Sequence, residues 1–241
     1  MKIVIPMAGR GQRFLDAGYV VPKPLITIRG YPMVWWAVRS LPVVPPADMI
    51  FIVRADHVRE HSIDIKLKEL FSPEIAIVPQ YTQSQGQADT VLLARQEIRN
   101  ASHLVIYNCD TYAPRAGEVL QQGIEAYPQV DGFVVVFNSS EPNLSFVRTA
   151  ADGHIVEVAE KRAISCDATI GLYHFRTGED FIWAADKMIS ENDRVRDEFY
   201  VLPVYRYLIE RGKKFRKLTV EDVHILGTPQ LMKSFGEQGH A

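Results

Sequence analysis

Lys2-Ile-Val-Ile-Pro-Met-Ala-Gly-Arg-Gly-Gln-Arg-Phe14 is the stretch whose reading decides the fold, and Pro22-Lys-Pro-Leu25 follows it closely. Residues 2–5 are short, β-branched and closed by Pro6, the pattern of a strand buried on both faces. Gly9 and Gly11 let the chain turn sharply and bring the N–H groups of residues 8–11 close to a ligand, with no Cβ in the way. Convergent amides at a strand end form an anion-binding nest. Arg10, Arg13 and Lys23 add three cations, and the combination suits a polyphosphate. Gly9-Arg10-Gly11 lacks the third glycine of the dinucleotide fingerprint, and no Gly-Lys-Ser/Thr follows as in a Walker A loop. An ordinary strand-to-loop turn with solvated arginines is the competing reading.

Outward from that turn, strands and helices alternate. Apolar runs predict strands over 49–53, 74–78 and 103–107, and helical spacing predicts helices over 31–41, 56–71 and 87–98, with 22–28 extended. The alternation argues for a largely parallel sheet with helices on both faces. The second half changes character. A helix over 116–127 and a strand over 132–138 lead to strands 144–149 and 154–159. These flank Ala151-Asp152-Gly153, a strong hairpin signal. A strand over 168–175, helices over 177–190 and 199–211, and short strands over 214–218 and 223–226 follow. Gly227-Thr228-Pro229 then opens a last helix reaching about residue 235, with Thr228 as its cap.

The length of 241 residues fits a single domain, with residues 1–112 forming a nucleotide half and 113–241 an acceptor half. A net charge of −2 gives no electrostatic case for nucleic acid or an anionic membrane. No apolar run has the length of a membrane span, and the chain enters a strand at once rather than a signal peptide. Cys109 and Cys166 form no metal pattern, so a reduced, cytoplasmic setting is expected.

Two further segments bear on chemistry. Asp110 follows the strand over 103–107, at the edge where open α/β sheets bind ligands; it reads either as an oxygen ligand for Mg²⁺ or as a polar strand end. Glu160-Lys161 lies just beyond the hairpin. The residues alone favour an exposed ion pair over a contact to sugar hydroxyls and phosphate. His57-Val-Arg-Glu60-His61 matches a zinc-peptidase pattern but lacks a further acidic ligand, and reads as a solvated helix face. Trp35-Trp36 reads as core or interface.

In this order the motifs resemble the sugar-1-phosphate nucleotidylyltransferases. Gly9-Arg-Gly11-Gln-Arg13-Phe14 and Pro22-Lys23-Pro24-Leu25 correspond to the family's opening motifs. Gln80 with Gly86-Gln87-Ala88 is similar to its base-binding loop, Asp110 to its metal ligand, Glu160-Lys161 to its Glu-Lys pair, Gly171 to its strand glycine and Gly227-Thr228-Pro229 to its closing motif. The resemblance implies a three-layer α/β/α fold with a mixed, mostly parallel, Rossmann-like sheet of the nucleotide-diphospho-sugar transferase type and a small β-hairpin subregion.

It also implies a reaction: transfer of a nucleoside monophosphate from a nucleoside triphosphate to a phosphorylated acceptor, with pyrophosphate released. Ala8, Gly9, Arg10, Gly11 and Gln12 would hold the triphosphate, and Gln80, Gly86, Gln87 and Ala88 the base. Arg13 and Lys23 would be catalytic. Glu160, Lys161, Gly171 and Glu198 would face the acceptor, and Asp110 would hold Mg²⁺. The family usually places a second metal-binding Asp before the closing Gly-Thr-Pro. Here Ile225-Leu226 stands there, so Asp222, His224 or Glu198 would substitute, or the metal would rest on Asp110 with phosphates and water. The segment 197–205 with Leu226-Gly-Thr-Pro resembles a branch in capsule and surface-polysaccharide pathways. Some of its members transfer CMP to non-sugar phosphates. A nucleotide-sugar-dependent glycosyltransferase and a non-catalytic nucleotide-binding subunit are the rival readings, and a homo-oligomer is compatible with all of them.

Overall fold

A computed structural model of the chain describes residues 1–237. The nine strands of its main sheet are β1 (Lys2–Pro6), β2 (Met49–Arg54), β3 (Ala76–Gln80), β4 (Leu104–Tyr107), β5 (Gly132–Asn138), β6 (Ser145–Thr149), β7 (Ile155–Glu160), β8 (Asp167–Phe175) and β9 (Phe215–Thr219); two small two-stranded sheets lie apart from it. The first four stand side by side in the order β4-β1-β2-β3, all parallel. The nine-residue β8 pairs antiparallel with β4 on one side and β5 on the other, and β9 extends β5 in parallel. At its start β8 also meets β6, which forms an antiparallel hairpin with β7. Only β7 and β8 run against the other seven, so the sheet is mixed and mostly parallel, as expected.

The parallel strands are buried on both faces because alternate residues feed two separate cores. Val4, Ile50, Ile52, Leu104 and Ile106 join one apolar cluster; Ile3, Ile5, Phe51, Val53 and Val105 join the other. Helices Gln87–Val91, Gly178–Ser190 and Val204–Glu210 cover the first face, and Met33–Val38, Ile63–Leu70 and Ala116–Ala126 cover the second. A third cluster joins Phe14, Ile28 and Met33 to Leu226, Met232 and Phe235, tying the closing helix Pro229–Glu237 to the N-terminal region. Trp36 belongs to that packing and donates its indole N–H to Ile28 O at 2.9 Å.

Several expected boundaries shift for identifiable reasons. The helix expected over 56–71 is two helices, Ala55–His61 and Ile63–Leu70, broken where Ser62 adopts φ 49°. Residues 22–28 are not fully extended: Lys23–Leu25 forms a 3₁₀ turn, with Leu25 N–H donating to Pro22 O. The helix expected from residue 199 starts only at Val204. Phe199 instead spends both of its backbone groups on another segment: its N–H donates to Gln85 O, and its O accepts from Ala88 N–H, each at 2.9 Å. Around Ala151-Asp152-Gly153 the hairpin forms as read, with Gly153 at φ 82°. Among the described residues no helix is long and apolar enough to cross a membrane.

Candidate active site

The C-terminal ends of the parallel strands open into a cavity of about 570 Å³, within the range of small-molecule sites. Past β1 the backbone stays in the sheet for one more bond, Met7 N–H to Ile52 O at 2.9 Å. It then turns through Gly9, Arg10 and Gly11. Gly11, at φ 66°, caps the short helix Gln12–Asp16, and its O accepts from Phe14 N–H at 2.8 Å. A Cβ on Gly11 would stand 3.2 Å from the Lys23 Cβ, so the missing side chain lets the Lys23 stem pass close beneath the turn. Arg10 reaches across the mouth and donates to Gln83 Oε1.

Lys23 and Asp110 meet at the floor as a hydrogen-bonded ion pair, each side chain about 20% exposed. Burial works against the Lys23 charge. The charge of Asp110 and its hydrogen bond outweigh that, so the lysine pKa lies above its ordinary value. The neighbouring Cys109 is buried, and burial pushes its thiol up to about 12. The closing motif packs directly on Asp110. Leu226 N–H donates to Asp110 O at 2.7 Å, and a Cβ on Gly227 would lie 2.9 Å from the Asp110 Oδ2. Gly227 therefore leaves room for the carboxylate.

The donor set fits Mg²⁺ held chiefly by phosphates. Asp110 offers a hard carboxylate oxygen at the cavity floor, and Mg²⁺ commonly takes one or two carboxylates plus substrate phosphates and waters. Of the proposed substitutes for the family's second Asp, Asp222 and His224 do not line the cavity. They pair with each other at 3.2 Å, and His224 packs on Tyr112 and Phe235. Glu198 does line it.

One side wall runs from the end of β3 to the start of helix Gln87–Val91, and its four glutamines each find a different partner. Gln80 is buried and accepts from Thr90 Oγ1 at 3.3 Å; Gln83 holds Arg10; Gln85 accepts from Arg194; Gln87 Nε2 donates to Asn108 Oδ1 at 2.6 Å. Gly86, at φ 141°, crosses the backbone of Phe199 so closely that a Cβ would lie 2.3 Å from Phe199 N.

Across the cavity stand Ser145, Glu160, Lys161, Tyr173, Glu198 and Tyr200. Glu160 is the most enclosed carboxylate there, its side chain 2% exposed, and burial raises its pKa against the opposing pull of Ser145 and Lys161. Lys161, with φ 56°, pairs with it at 3.3 Å, donates to Asn143 O at 2.8 Å and lies over the Tyr200 ring.

The cavity thus brings together Ala8, Gly9, Arg10, Gly11, Gln12, Lys23, Gln80, Gly86, Gln87, Asp110, Glu160, Lys161 and Glu198. Three expected residues do not line it. Arg13 is exposed on the short helix at the rim. Ala88 is buried behind the loop, its N–H on Phe199 O. Gly171, at φ 80° in the irregularity of β8, lies behind the wall: a Cβ there would meet the Asn108 side chain at 2.1 Å. It makes room for Asn108, which does line the cavity. Sequence reading missed Asn108, Arg54, Ser145, Tyr173 and Tyr200. The first two lie at or just past strand ends, the one local signal available; the others face the cavity only because β6, β8 and the segment after Glu198 converge.

The His57-x-x-Glu60-His61 pattern builds no site. Asp56 is held by Arg54, which keeps its carboxyl down at about 2, and Glu60 pairs with Arg59. Among the described residues no three His, Cys, Asp or Glu side chains converge as metal ligands.

Comparison with known proteins agrees with this architecture. The MobA-like NTP transferase domain matches residues 3–168. A nucleoside-diphosphate-sugar pyrophosphorylase from Vibrio cholerae superposes with a TM-score of 0.82 at 28% identity, covering 98% of this chain and 100% of that one. A UDP-glucose pyrophosphorylase complexed with UDP-glucose gives 0.75 at 18% identity, covering 98% and 96%; an inositol-1-phosphate CTP transferase from T. maritima gives 0.72 at 14%, covering 100% and 98%. The last two share the fold. Among curated proteins none matches the chain.

Proposed function

The chain belongs to the MobA-like NTP transferase family and is a nucleotidyltransferase, and on that premise we propose that it moves a nucleoside monophosphate from a triphosphate onto a sugar-1-phosphate or related phosphate, releasing pyrophosphate. The observation that carries this reading is one cavity with two unlike walls. The glycine turn, Arg10, Lys23 and Asp110 line one; Glu160, Lys161, Glu198 and Tyr200 line the other.

In-line transfer at phosphorus asks for positioning and charge neutralisation rather than covalent help. Amides of residues 8–11 and the Gln12 side of the turn hold the β- and γ-phosphates. Lys23, charged throughout the neutral range, steadies the attacking acceptor phosphate against the α-phosphate, and Arg13 swings from the rim onto the leaving pyrophosphate. Asp110 would hold Mg²⁺, which would supply charge neutralisation of the phosphate oxygens. No general base is needed, because the acceptor phosphate is already an anion. Gln80, Gly86 and Gln87 read the base, with Ala88 anchoring their loop. Glu160 accepts from acceptor hydroxyls, Lys161 holds the acceptor's phosphate, and Gly171 sets the wall behind it. Residues 1–112 serve the nucleotide and 113–241 the acceptor, within one cytoplasmic domain supplying precursors for surface polysaccharide.

A pyrophosphate-release screen tests this: each common triphosphate against sugar-1-phosphates and non-sugar phosphates, with Mg²⁺. Turnover with a sugar-1-phosphate supports the reading. Turnover only with CTP and a non-sugar phosphate replaces the acceptor, and release from no pair overturns the activity.

A further inference from the structure

The base-reading loop and the acceptor wall are a single mechanical unit. Between them runs a tight hairpin turn: Val195 and Glu198 exchange both backbone hydrogen bonds at 3.0 Å, and the two residues at its tip, Arg196 and Asp197, both sit at positive φ, 48° and 66°. Left-handed backbone at two successive non-glycine residues is costly and persists only where the surroundings impose it. Arg194 braces the turn. Its guanidinium donates to Asn192 Oδ1 at 2.6 Å, to Asp197 O at 3.1 Å and to Gln85 Oε1, and it lies 4.1 Å over the Phe199 ring. The planar fork of arginine suits this many simultaneous acceptors.

Gln85 belongs to the base loop, whereas Glu198 and Tyr200, on either side of Phe199, belong to the acceptor wall. The Phe199 backbone already bonds to Gln85 O and Ala88 N–H, with Gly86 pressed against it. Neither Arg194 nor Gln85 lines the cavity.

We infer that Arg194 is a positioning residue that couples the two substrates, carrying the order imposed on the Gln80–Gly86 loop by a bound base to Glu198 and Tyr200, so that the acceptor binds better once the nucleotide is in place. The inference rests on the transferase reading above. Coupling of this kind is a free energy shared between two sites and usually amounts to a 5- to 150-fold change in affinity.

The test compares wild type with Arg194→Ala, Gln85→Ala and the double variant, using the triphosphate and acceptor that wild type turns over. Calorimetry gives triphosphate affinity, and pyrophosphate release gives kcat and the acceptor KM. Arg194→Ala is expected to raise the acceptor KM about tenfold while triphosphate affinity and kcat change less than about twofold. Gln85→Ala should reproduce most of that rise, the double variant should add little to it, and Arg194→Lys should not restore coupling. An unchanged acceptor KM in Arg194→Ala overturns the inference. So does a parallel loss of triphosphate affinity, kcat and melting temperature, which would mark a structural role only. If Arg194→Ala does not fold, an unchanged acceptor KM in Gln85→Ala, whose backbone bond to Phe199 is kept, overturns it equally. Absence of turnover by wild type with every pair is a different result: it overturns the transferase reading, and this inference with it.

Discussion

Two lysine–carboxylate pairs line the cavity, and they are built differently. Lys23 and Asp110 come from segments 87 residues apart, are equally shielded, and share a direct hydrogen bond that keeps the lysine charged despite its burial. Lys161 and Glu160 are neighbours in sequence, 3.3 Å apart, with the acid almost enclosed and the base turned outward to Asn143 O. The first pair balances its charges internally. In the second, burial raises the pKa of the enclosed Glu160 against the pull of Ser145 and Lys161. A lysine paired with a carboxylate thus sits in two different electrostatic settings, because burial and sequence distance differ.

The largest effect should come from breaking the first pair. Asp110→Asn or Lys23→Ala is expected to lower turnover about 10²–10³-fold, read as pyrophosphate release, with thermal unfolding checking that the fold survives; near-wild-type turnover in either would equate the two walls and refute the assignment. Arg13→Ala, removing a rim cation outside the cavity, should cost less, about tenfold to a hundredfold. Next in size is the join between the walls. Gly86→Ala puts a Cβ 2.3 Å from Phe199 N and is expected to cost about 2–4 kcal/mol of stability, lowering the melting temperature by about 5–15 °C.

Glu160→Gln sharpens the contrast at a smaller scale: the acceptor KM should rise about tenfold while triphosphate affinity holds. Its pH signature has a definite sign. Because the folded-state pKa of Glu160 is raised by burial, wild-type stability from this group is full below the ordinary value of 4.5 and falls as pH rises through the raised value. The Gln variant should flatten that fall in melting temperature against pH. Replacing His57 and His61 together by Ala should change turnover less than about twofold, since that helix face lies outside the cavity.

Reading from the chain agreed with the structure where position follows local backbone. The buried strand, the glycine turn, Pro22-Lys23, Asp110 past a strand end and the hairpin glycine are all short-range features, and the structure sets the first four around one cavity. The reading weakened where two distant segments share a constraint. Gly171 looks like a ligand contact but serves Asn108 from behind, and the helix expected from residue 199 is shortened because Phe199 is claimed by Gln85 and Ala88. Tyr173 and Tyr200 carry no motif at all; within their own segments they look like ordinary core aromatics.

By itself the sequence determined the alternating α/β order, the strand running into a glycine turn and the family to which the chain belongs. These depend on periodicity, on glycine's freedom at positive φ and on residue spacing, all of which are local. Tertiary structure alone decided which Lys meets which carboxylate, how deeply each is buried, and that the base loop and acceptor wall are laced together through Arg194 and Phe199. Those outcomes depend on desolvation and on contacts between residues scores of positions apart, quantities that no single stretch of chain contains.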